Sequence, residues 1–484
     1  MTELQQPASS KIARFEAALL RSTDIAWLAT FRMLFGVTLC VSMLRFLGNG
    51  WIDQFFVQPS FHFKYFGFEW VEPLSASGMH ALFWVLAGLA LCITLGLFFR
   101  VTAPLFTLGF TYIQLIDVAT YLNHYYLASL LCLLLSLSPA HRAYSVDALL
   151  WPRRARETTA AAWLYLFRFQ VATVYTFAGI AKLHGDWLLD AQPLRIWLGS
   201  RTDLPLLGSL FTWEHAPLAM SWAGFLFDTT IAGWLLFGKT RPFAYAVVIV
   251  FHTVTSALFP IGMFPVIMVL SALVFFPADW PRRLLARART GWRRVRGVTA
   301  SGEPNAAATT APPTLAPEPS RAWRLARRAA LGVGVAYCAL QLLMPLRFLA
   351  YGGNVRWHEQ GMRFSWRVMV REKNGSITFF VRQQRTGRVW HVSPRSYLTP
   401  IQEREMAGQP DLILQLAHHV REDFERKGLG PVEVRAEALI SLNGRRLAPL
   451  IDPNVDLTAV QDGLGKASWI LPAPSQRPPH IRPI

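Results

Sequence analysis

Three residues set in apolar surroundings are equipped for proton chemistry: Lys182, His124 and His252. Lys182 lies near the end of a helix-patterned run that begins at Trp163 and is followed by Gly185-Asp186-Trp187. An ammonium within or at the edge of a bilayer costs on the order of a few kcal/mol even on lenient insertion scales. Desolvation disfavours its charged form, which is how an embedded enzyme obtains an amine base at neutral pH. Lys182 is therefore the first candidate catalytic residue, with little in its sequence neighbourhood to neutralise it. A plainer reading has Lys182 snorkelling to the interface, since Gly185-Asp186-Trp187 resembles a membrane boundary. For His124 and His252 the plain reading is a hydrogen-bonded core histidine. Arg32, Asp117 and Asp228 also interrupt apolar runs, and a structural ion pair such as Arg32 with one of the aspartates is expected for them. One amine and two imidazoles on separate helices would suit a polar pocket in an apolar shell, fit for a lipophilic substrate. Spacing alone leaves their convergence open.

The elements that would carry these residues are membrane helices. Of 484 residues, 52% are hydrophobic and 16% charged, with 18 Trp and 33 Phe, too apolar for one soluble domain. Apolar runs occur at about 25–47, 79–98, 101–118, 122–138, 162–183, 217–237, 242–259, 263–277 and 329–349, which predicts about nine transmembrane helices. The fourth and eighth are short, and the eighth could be re-entrant. The net charge of +18 does not indicate nucleic acid, because the basic residues cluster in short loops beside apolar runs. Arg100, Arg142, Arg153, Arg154, Arg156, Lys239, Arg241 and the block from Arg282 to Arg296 all fall on one side if nine crossings are made. That side is the cytoplasm, with residues 1–24, and the tail from about 350 lies outside. No cleavable signal peptide is apparent. Residues 300–320, rich in Ala, Pro and Thr, read as a disordered linker inside the basic loop 282–328. Cys40, Cys92, Cys132 and Cys338 lack metal-ligand spacing and read as small hydrophobes, so no metal is expected.

The tail, 350–484, is a different kind of sequence. Residues 364–371 and 377–382 read as strands joined by a turn at Asn374-Gly375, with a further strand near 388–392 after Thr386-Gly387. Residues 401–427 read as one helix, and 432–436 and 438–442 as strand before a turn at Asn443-Gly444. The expected fold is an α-helical polytopic membrane domain, 25–349, bearing a small extracytoplasmic α+β domain.

Ordered motifs then give a resemblance. They are Phe31-Arg32-Met33-Leu34-Phe35-Gly36; Asn123-His124; Tyr144-Ser145-Val146-Asp147-Ala148-Leu149; Ala178-Gly179-Ile180-Ala181-Lys182-Leu183 with Asp186-Trp187; Phe251-His252 with Phe259-Pro260-Ile261-Gly262-Met263-Phe264; and Trp280-Pro281-Arg282. In the tail follow Phe364-Ser365-Trp366, Arg385-Thr386-Gly387, Asp452-Pro453-Asn454-Val455-Asp456 and Ser468-Trp469. With these the chain resembles a bacterial vitamin K-dependent gamma-glutamyl carboxylase homologue with a horizontally transferred transmembrane domain. The resemblance implies that the amine matching Lys182 deprotonates reduced vitamin K, a menaquinol or phylloquinol type hydroquinone. With O2 this yields a base able to take a γ-proton from glutamate, CO2 adds to the carbanion, and the vitamin leaves as its 2,3-epoxide. It implies a role for His124 in the carbanion and CO2 half, and it places His252, with Asn123 and Met263, at the quinone pocket. A dry site is required, since water would quench both the base and the carbanion. The implied partners are the lipid bilayer of the bacterial inner membrane and a glutamate-containing peptide or protein.

The tail departs from the pattern. Animal members carry Gly-Tyr-Ser-Trp-Asp-Met and then a histidine near the glutamate-binding segment; here the stretch is Arg363-Phe364-Ser365-Trp366-Arg367-Val368, with Arg371 where the histidine would be. Trp366 and Arg371 are the candidate substrate-binding residues. Arginines 363, 367 and 371 suit a carboxylate, or are solvated strand residues. The chain also stops soon after Trp469, where animal members extend further, so propeptide recognition is not carried over. A quinol epoxidase without carboxylation and a non-enzymatic membrane protein are the alternatives, although no inverted repeat favours a transporter. The charge pattern makes a direct prediction about sidedness: alkaline phosphatase fused after Tyr351 is active in intact cells, whereas phosphatase inserted at 300–320 is inactive. The reverse pattern would refute the orientation.

Overall fold

The computed structural model describes residues 11–205, 207–295 and 320–479. The linker expected at 300–320 lies, but for its last residue, outside the described residues. Each of the nine apolar runs folds as helix: α1 (Ala26–Gly48), α2 (Ala76–Leu95), α3 (Phe99–Leu115), α4 (Asn123–Leu137), α5 (Ala161–Ala181), α6 (Ala216–Leu236), α7 (Arg241–Leu258), α8 (Phe264–Ala272), and, after the basic helix α9 (Trp280–Val295), α10 (Arg321–Leu346). Five helices among the described residues are long and apolar enough to cross a membrane, or six if the pair Phe264–Phe275 and Trp280–Thr290, bent by 93°, is one span. This is fewer than the nine expected, for a physical reason. At 1.5 Å per residue, the 17 residues of α3 and 15 of α4 rise only about 22–26 Å, short of the roughly 30 Å hydrocarbon core, and α6, although 21 residues long, carries Asp228, Thr229 and Thr230 and is not among the helices apolar enough to be counted.

Local chemistry explains where these helices begin and end. The Ser75 hydroxyl accepts the Gly78 N–H at the start of α2, and prolines occupy the first turns of α6, α7 and α8, where a missing donor costs nothing. Gly96 ends α2 at φ +65, and an added Cβ there would lie 1.4 Å from Arg32 Nη1. The loop after Gly96 is tied down by Asp147, whose two carboxylate oxygens accept the N–H groups of Phe98 and Phe99 at 2.8 and 3.0 Å. Arg32 is buried in this corner and donates to the Tyr144 carbonyl. The expected pairing of Arg32 with Asp117 or Asp228 therefore does not occur.

Basic loops gather at one end of the bundle. There β1 (Ser22–Asp24) pairs antiparallel with β2 (Thr158–Ala160), and Arg282 Nε donates to Asp24 Oδ2 at 2.7 Å. The opposite end carries the tail. Its sheet has the order β4-β3-β5-β6, all antiparallel: β3 (Lys373–Gln383), β4 (Val389–Val392), β5 (Val432–Leu442) and β6 (Ala448–Pro449). Alternate residues of β5, from Val432 to Leu442, face a core shared with Leu412, Leu416, Val420 and Phe424 of a covering helix. Phe63, Val118 and Ala119, from loops of the membrane domain, enter the same core.

Three expectations for the tail are corrected. Residues 364–371 are not a strand but a series of turns, with Phe364, Trp366 and Met369 at φ +59, +59 and +52. Asn374-Gly375 is not a turn, because both residues pair with β5 inside β3. The helix expected at 401–427 is two helices, α11 (Pro400–Ala407) and α12 (Pro410–Arg426), broken where Pro410 disfavours helix before it. The turns at Thr386-Gly387 and Asn443-Gly444 form as expected, with Asn443 and Gly444 at φ +52 and +76.

Asp186 joins the two parts. Arg445 of the tail grips its carboxylate with two bonds of 2.7 Å, Asn443 Nδ2 adds one at 2.8 Å, and Arg356 lies at 3.6 Å. Burial would raise the Asp186 pKa, but the Arg445 hydrogen bonds, the Arg356 charge and the Asn443 bond outweigh it and hold the carboxyl down at about 2. A depressed carboxyl pKa stabilises the folded state above its ordinary value near 3.8 and ceases to do so as pH falls towards about 2. Proteolytic release of the tail should therefore accelerate between about pH 4 and 2 in the parent, and Asp186→Ala should show accelerated release already at pH 7, with a loss of about 3–5 kcal/mol in stability.

Candidate active site

Lys182 caps the C-terminal end of α5, one turn before Asp186. Its position depends on close contact between α5 and α6. A Cβ at Gly179 would meet Thr229 Cγ2 at 2.5 Å and the Thr229 backbone nitrogen at 2.9 Å, so only glycine admits this approach. The approach brings Lys182 Nζ to 2.7 Å from Asp228 Oδ2 and 3.2 Å from the Ala178 carbonyl. The Trp187 ring lies beneath the ammonium, 5.2 Å to its centroid, and is fixed by its own Nε1 donating to the Ser221 carbonyl at 2.9 Å. Lys182 is 6% exposed and Asp228 is 6% exposed. The expectation that nothing neutralises Lys182 is corrected: the partner comes from another helix, 46 residues away. The reading that Lys182 snorkels towards headgroups is excluded by the same burial.

Lys182 and Asp228 stand on the wall of a cavity of about 110 Å3 that is otherwise mainly apolar, built from Trp187, Trp197, Phe251, Phe259 and Met268. His252 shares this wall. Its Nε2 lies 3.1 Å from the Tyr175 hydroxyl, while its Nδ1 is buried without a partner among the described residues. A second chamber of about 500 Å3 holds His124, Asn123 and Met263, with Arg45 and Glu405. Ile261, Phe264, Val368 and Met369 line both chambers and so form the partition. The Phe264 ring stands between the imidazoles, with centroids 6.1 Å from His124 and 5.7 Å from His252. The structure thus brings Lys182 and His252 into one chamber and His124, Asn123 and Met263 into its neighbour.

A third, polar cavity of about 190 Å3 adjoins the second and is shared between membrane domain and tail. Its arginines differ in their commitments. Arg363 is neutralised by Asp411 at 2.5 Å, and Arg371 Nε by Glu359 at 2.6 Å. Arg367 makes no ion pair with a carboxylate among the described residues; its guanidinium lies 4.1 Å above the Phe348 ring and its Nε has no partner. Burial lowers the Arg367 pKa to about 10 and pushes the Glu405 carboxyl up across the same cavity. Trp366 does not line this cavity. It is 1% exposed and stacks on Tyr126 with centroids 4.9 Å apart. Met369 lines all three cavities.

Sequence reasoning missed Asp228 as the partner of Lys182, although it marked the residue as ionisable within a span. It also missed Tyr175, Phe264 and Met369, which give no signal because aromatic and Met residues are ordinary in membrane helices and cores. Among the described residues no cluster of His, Cys, Asp and Glu suits a metal ion.

The fold and the cavities define a multi-pass membrane protein with a paired lysine in an apolar chamber and an α+β domain closing one end. Residues 20–280 match the family model of the HTTM domain, and residues 326–476 match that of the vitamin K-dependent gamma-carboxylase lumenal domain. The chain belongs to the vitamin K-dependent gamma-glutamyl carboxylase family. No solved structure matches it.

The pairing of Lys182 with Asp228 can be tested through stability. Removing one member of a buried pair costs about 3–5 kcal/mol, while replacing both by apolar groups is often neutral. Lys182→Met alone should lower the thermal midpoint in detergent, and Lys182→Met with Asp228→Leu should recover most of the loss. Additive losses would refute the pair.

Proposed function

We propose that the protein is a vitamin K-dependent gamma-glutamyl carboxylase-like enzyme of the bacterial inner membrane. In this reading it crosses nine times, with its N-terminus in the cytoplasm and the tail outside. The observation that carries the reading is Lys182 Nζ on the wall of an apolar, aromatic chamber, with His252 beside it and the His124 chamber behind a thin partition.

The residues present fit a hydroquinone of the menaquinol or phylloquinol type. Aromatic walls suit a fused ring, Lys182 and His252 are the two polar groups suited to its oxygens, and His252 Nδ1 is a buried polar atom without a partner among the described residues. Met263 and Asn123, which the resemblance places at the quinone, line the His124 chamber on the other side of the partition. When bound, reduced vitamin K supplies with O2 the strong base that takes a γ-proton from glutamate and leaves as the 2,3-epoxide.

Lys182 Nζ accepts a phenolic proton only while its own extra proton resides on Asp228 Oδ2. At 2.7 Å the two atoms share a direct path for that transfer. Asp228 is thus both the counter-ion and the store for the proton. The Tyr175 hydroxyl orients His252 by occupying Nε2, which leaves Nδ1 for the ligand. Phe264, Ile261, Val368 and Met369 keep water from passing between the chambers, as a reactive base and a carbanion require. His124 then serves the carbanion and CO2 half from its own chamber.

The glutamyl side chain of an acceptor peptide is assigned to the polar cavity at the tail. Arg367, without a carboxylate ion-pair partner among the described residues, receives its carboxylate. Of the residues chosen from sequence, Trp366 acts one layer back, whereas Arg371 lines the cavity with its charge already committed. Trp366 holds the turn that carries Arg367, and Arg371 fixes Glu359 at 2.6 Å.

Purified protein given reduced vitamin K and a glutamyl peptide should consume O2, form the epoxide and incorporate labelled CO2. Lys182→Ala should slow all three at least roughly 100-fold, the range for losing a positioned general base. Epoxide formation without CO2 incorporation would reduce the reading to a quinol epoxidase. Equal O2 uptake by the variant would remove Lys182 from the chemistry.

A further inference from the structure

At the basic end of the bundle, far in sequence from Lys182, a cavity of about 150 Å3 opens between the starts of α3 and the loop after α4. Three guanidinium groups line it: Arg100, Arg142 and Arg154. The carboxylate on its wall, Asp147, is spent on the N–H groups of Phe98 and Phe99. None of the three arginines forms a salt bridge among the described residues. Arg142 Nε is buried with no hydrogen-bond partner among the described residues, as is Nδ1 of His141 beside it. Arg100 has one long bond, to the Leu137 carbonyl at 3.4 Å, and Arg154 lies 5.7 Å over the Trp151 ring. Burial, with the Arg100 charge next, holds the His141 pKa down at about 4, in keeping with a strongly positive corner. Buried donors without acceptors, crowded by like charge, are costly unless an anion completes them.

The surroundings specify what kind of anion. Val101 lines the cavity and begins an exposed apolar stripe with Leu105 and Leu108, at 59, 50 and 68% exposure. These residues, spaced by four and three, share one face of α3 and lead away from the arginines along the helix. Leu137 and Leu133 of α4 are likewise exposed. We propose that this cavity binds the phosphate of an anionic phospholipid through Arg100, Arg142 and Arg154, with an acyl chain along Val101, Leu105 and Leu108. A free phosphate would satisfy the arginines but gain nothing from the stripe. A zwitterionic lipid would bring its ammonium into a positively charged corner.

The test uses the full chain in neutral detergent. Binding of phosphatidylglycerol and of phosphatidylcholine is measured by native mass spectrometry, and thermal midpoints are measured with each lipid and with inorganic phosphate. Wild type should retain phosphatidylglycerol preferentially and gain thermal stability from it alone. Arg100→Gln with Arg142→Gln should weaken phosphatidylglycerol binding by roughly tenfold or more, given the worth of a single basic contact to an anionic lipid. Arg287→Gln with Arg289→Gln, which removes the same charge from exposed positions on α9, should leave binding within roughly twofold. Equal retention of both lipids by wild type overturns the proposal without recourse to any variant. So does an equal gain in stability from inorganic phosphate, or an equal loss of binding in the two double variants.

Discussion

The Lys182–Asp228 pair is the constraint around which the membrane domain is arranged. Two opposite charges in a low-dielectric wall are tolerable only in close contact, because each alone would carry an uncompensated desolvation cost of several kcal/mol. Contact at 2.7 Å requires α5 and α6 to approach until a side chain at position 179 would strike Thr229. Gly179 therefore belongs to the site although it touches no ligand. Trp187, locked by Ser221, closes the remaining side of the ammonium. The apolar chamber lies beside this crossing, lined by Tyr175 of α5, Gly224 and Asp228 of α6, Phe251 of α7 and Phe264 of α8, with Trp187 and Trp197.

The tail is bound to this arrangement through the four residues that follow Lys182. Asp186 lies one turn on and carries the Arg445, Asn443 and Arg356 contacts, so docking of the sheet domain and the placement of the amine share one short segment. The turn region 364–370 completes the roof. Residues Phe364, Trp366 and Met369 adopt left-handed backbone conformations that cost of order 1 kcal/mol or more each and persist only where surroundings over-determine them. Here those surroundings include Tyr126, against which Phe364 and Trp366 pack, and the Tyr121 hydroxyl, which accepts the Phe364 N–H at 2.8 Å. The result is that Val368 and Met369 reach both chambers while Arg367 reaches the polar cavity.

Much of the helical layout was legible because hydrophobic length is a one-dimensional property. All nine apolar runs are helices, and the basic loops meet at one end of the bundle. The span count was less legible, since α3 and α4 are shorter than a bilayer core and depend on neighbours rather than on their own length. In the tail, alternating apolar residues 364, 366, 368 and 370 imitated a strand. They lie between bundle and sheet domain, so apolar contacts come from both sides and no ladder partner is available. Asn374-Gly375 carried a turn signal that the full-length pairing of β3 with β5 overrode.

For the site, sequence determined the inventory: an amine, two imidazoles and an aspartate inside apolar segments. It did so because ionisable groups in hydrocarbon are expensive and therefore conspicuous. Only the tertiary structure decided the pairings. It joined Lys182 to Asp228 rather than leaving it alone, kept Arg32 apart from Asp117 and Asp228, divided the two histidines between chambers at Phe264, and left Arg367 rather than Arg371 without a carboxylate ion pair among the described residues. Partner choice depends on which helix faces meet, and those faces are fixed by packing contacts between residues tens to hundreds of positions apart, which no local pattern encodes.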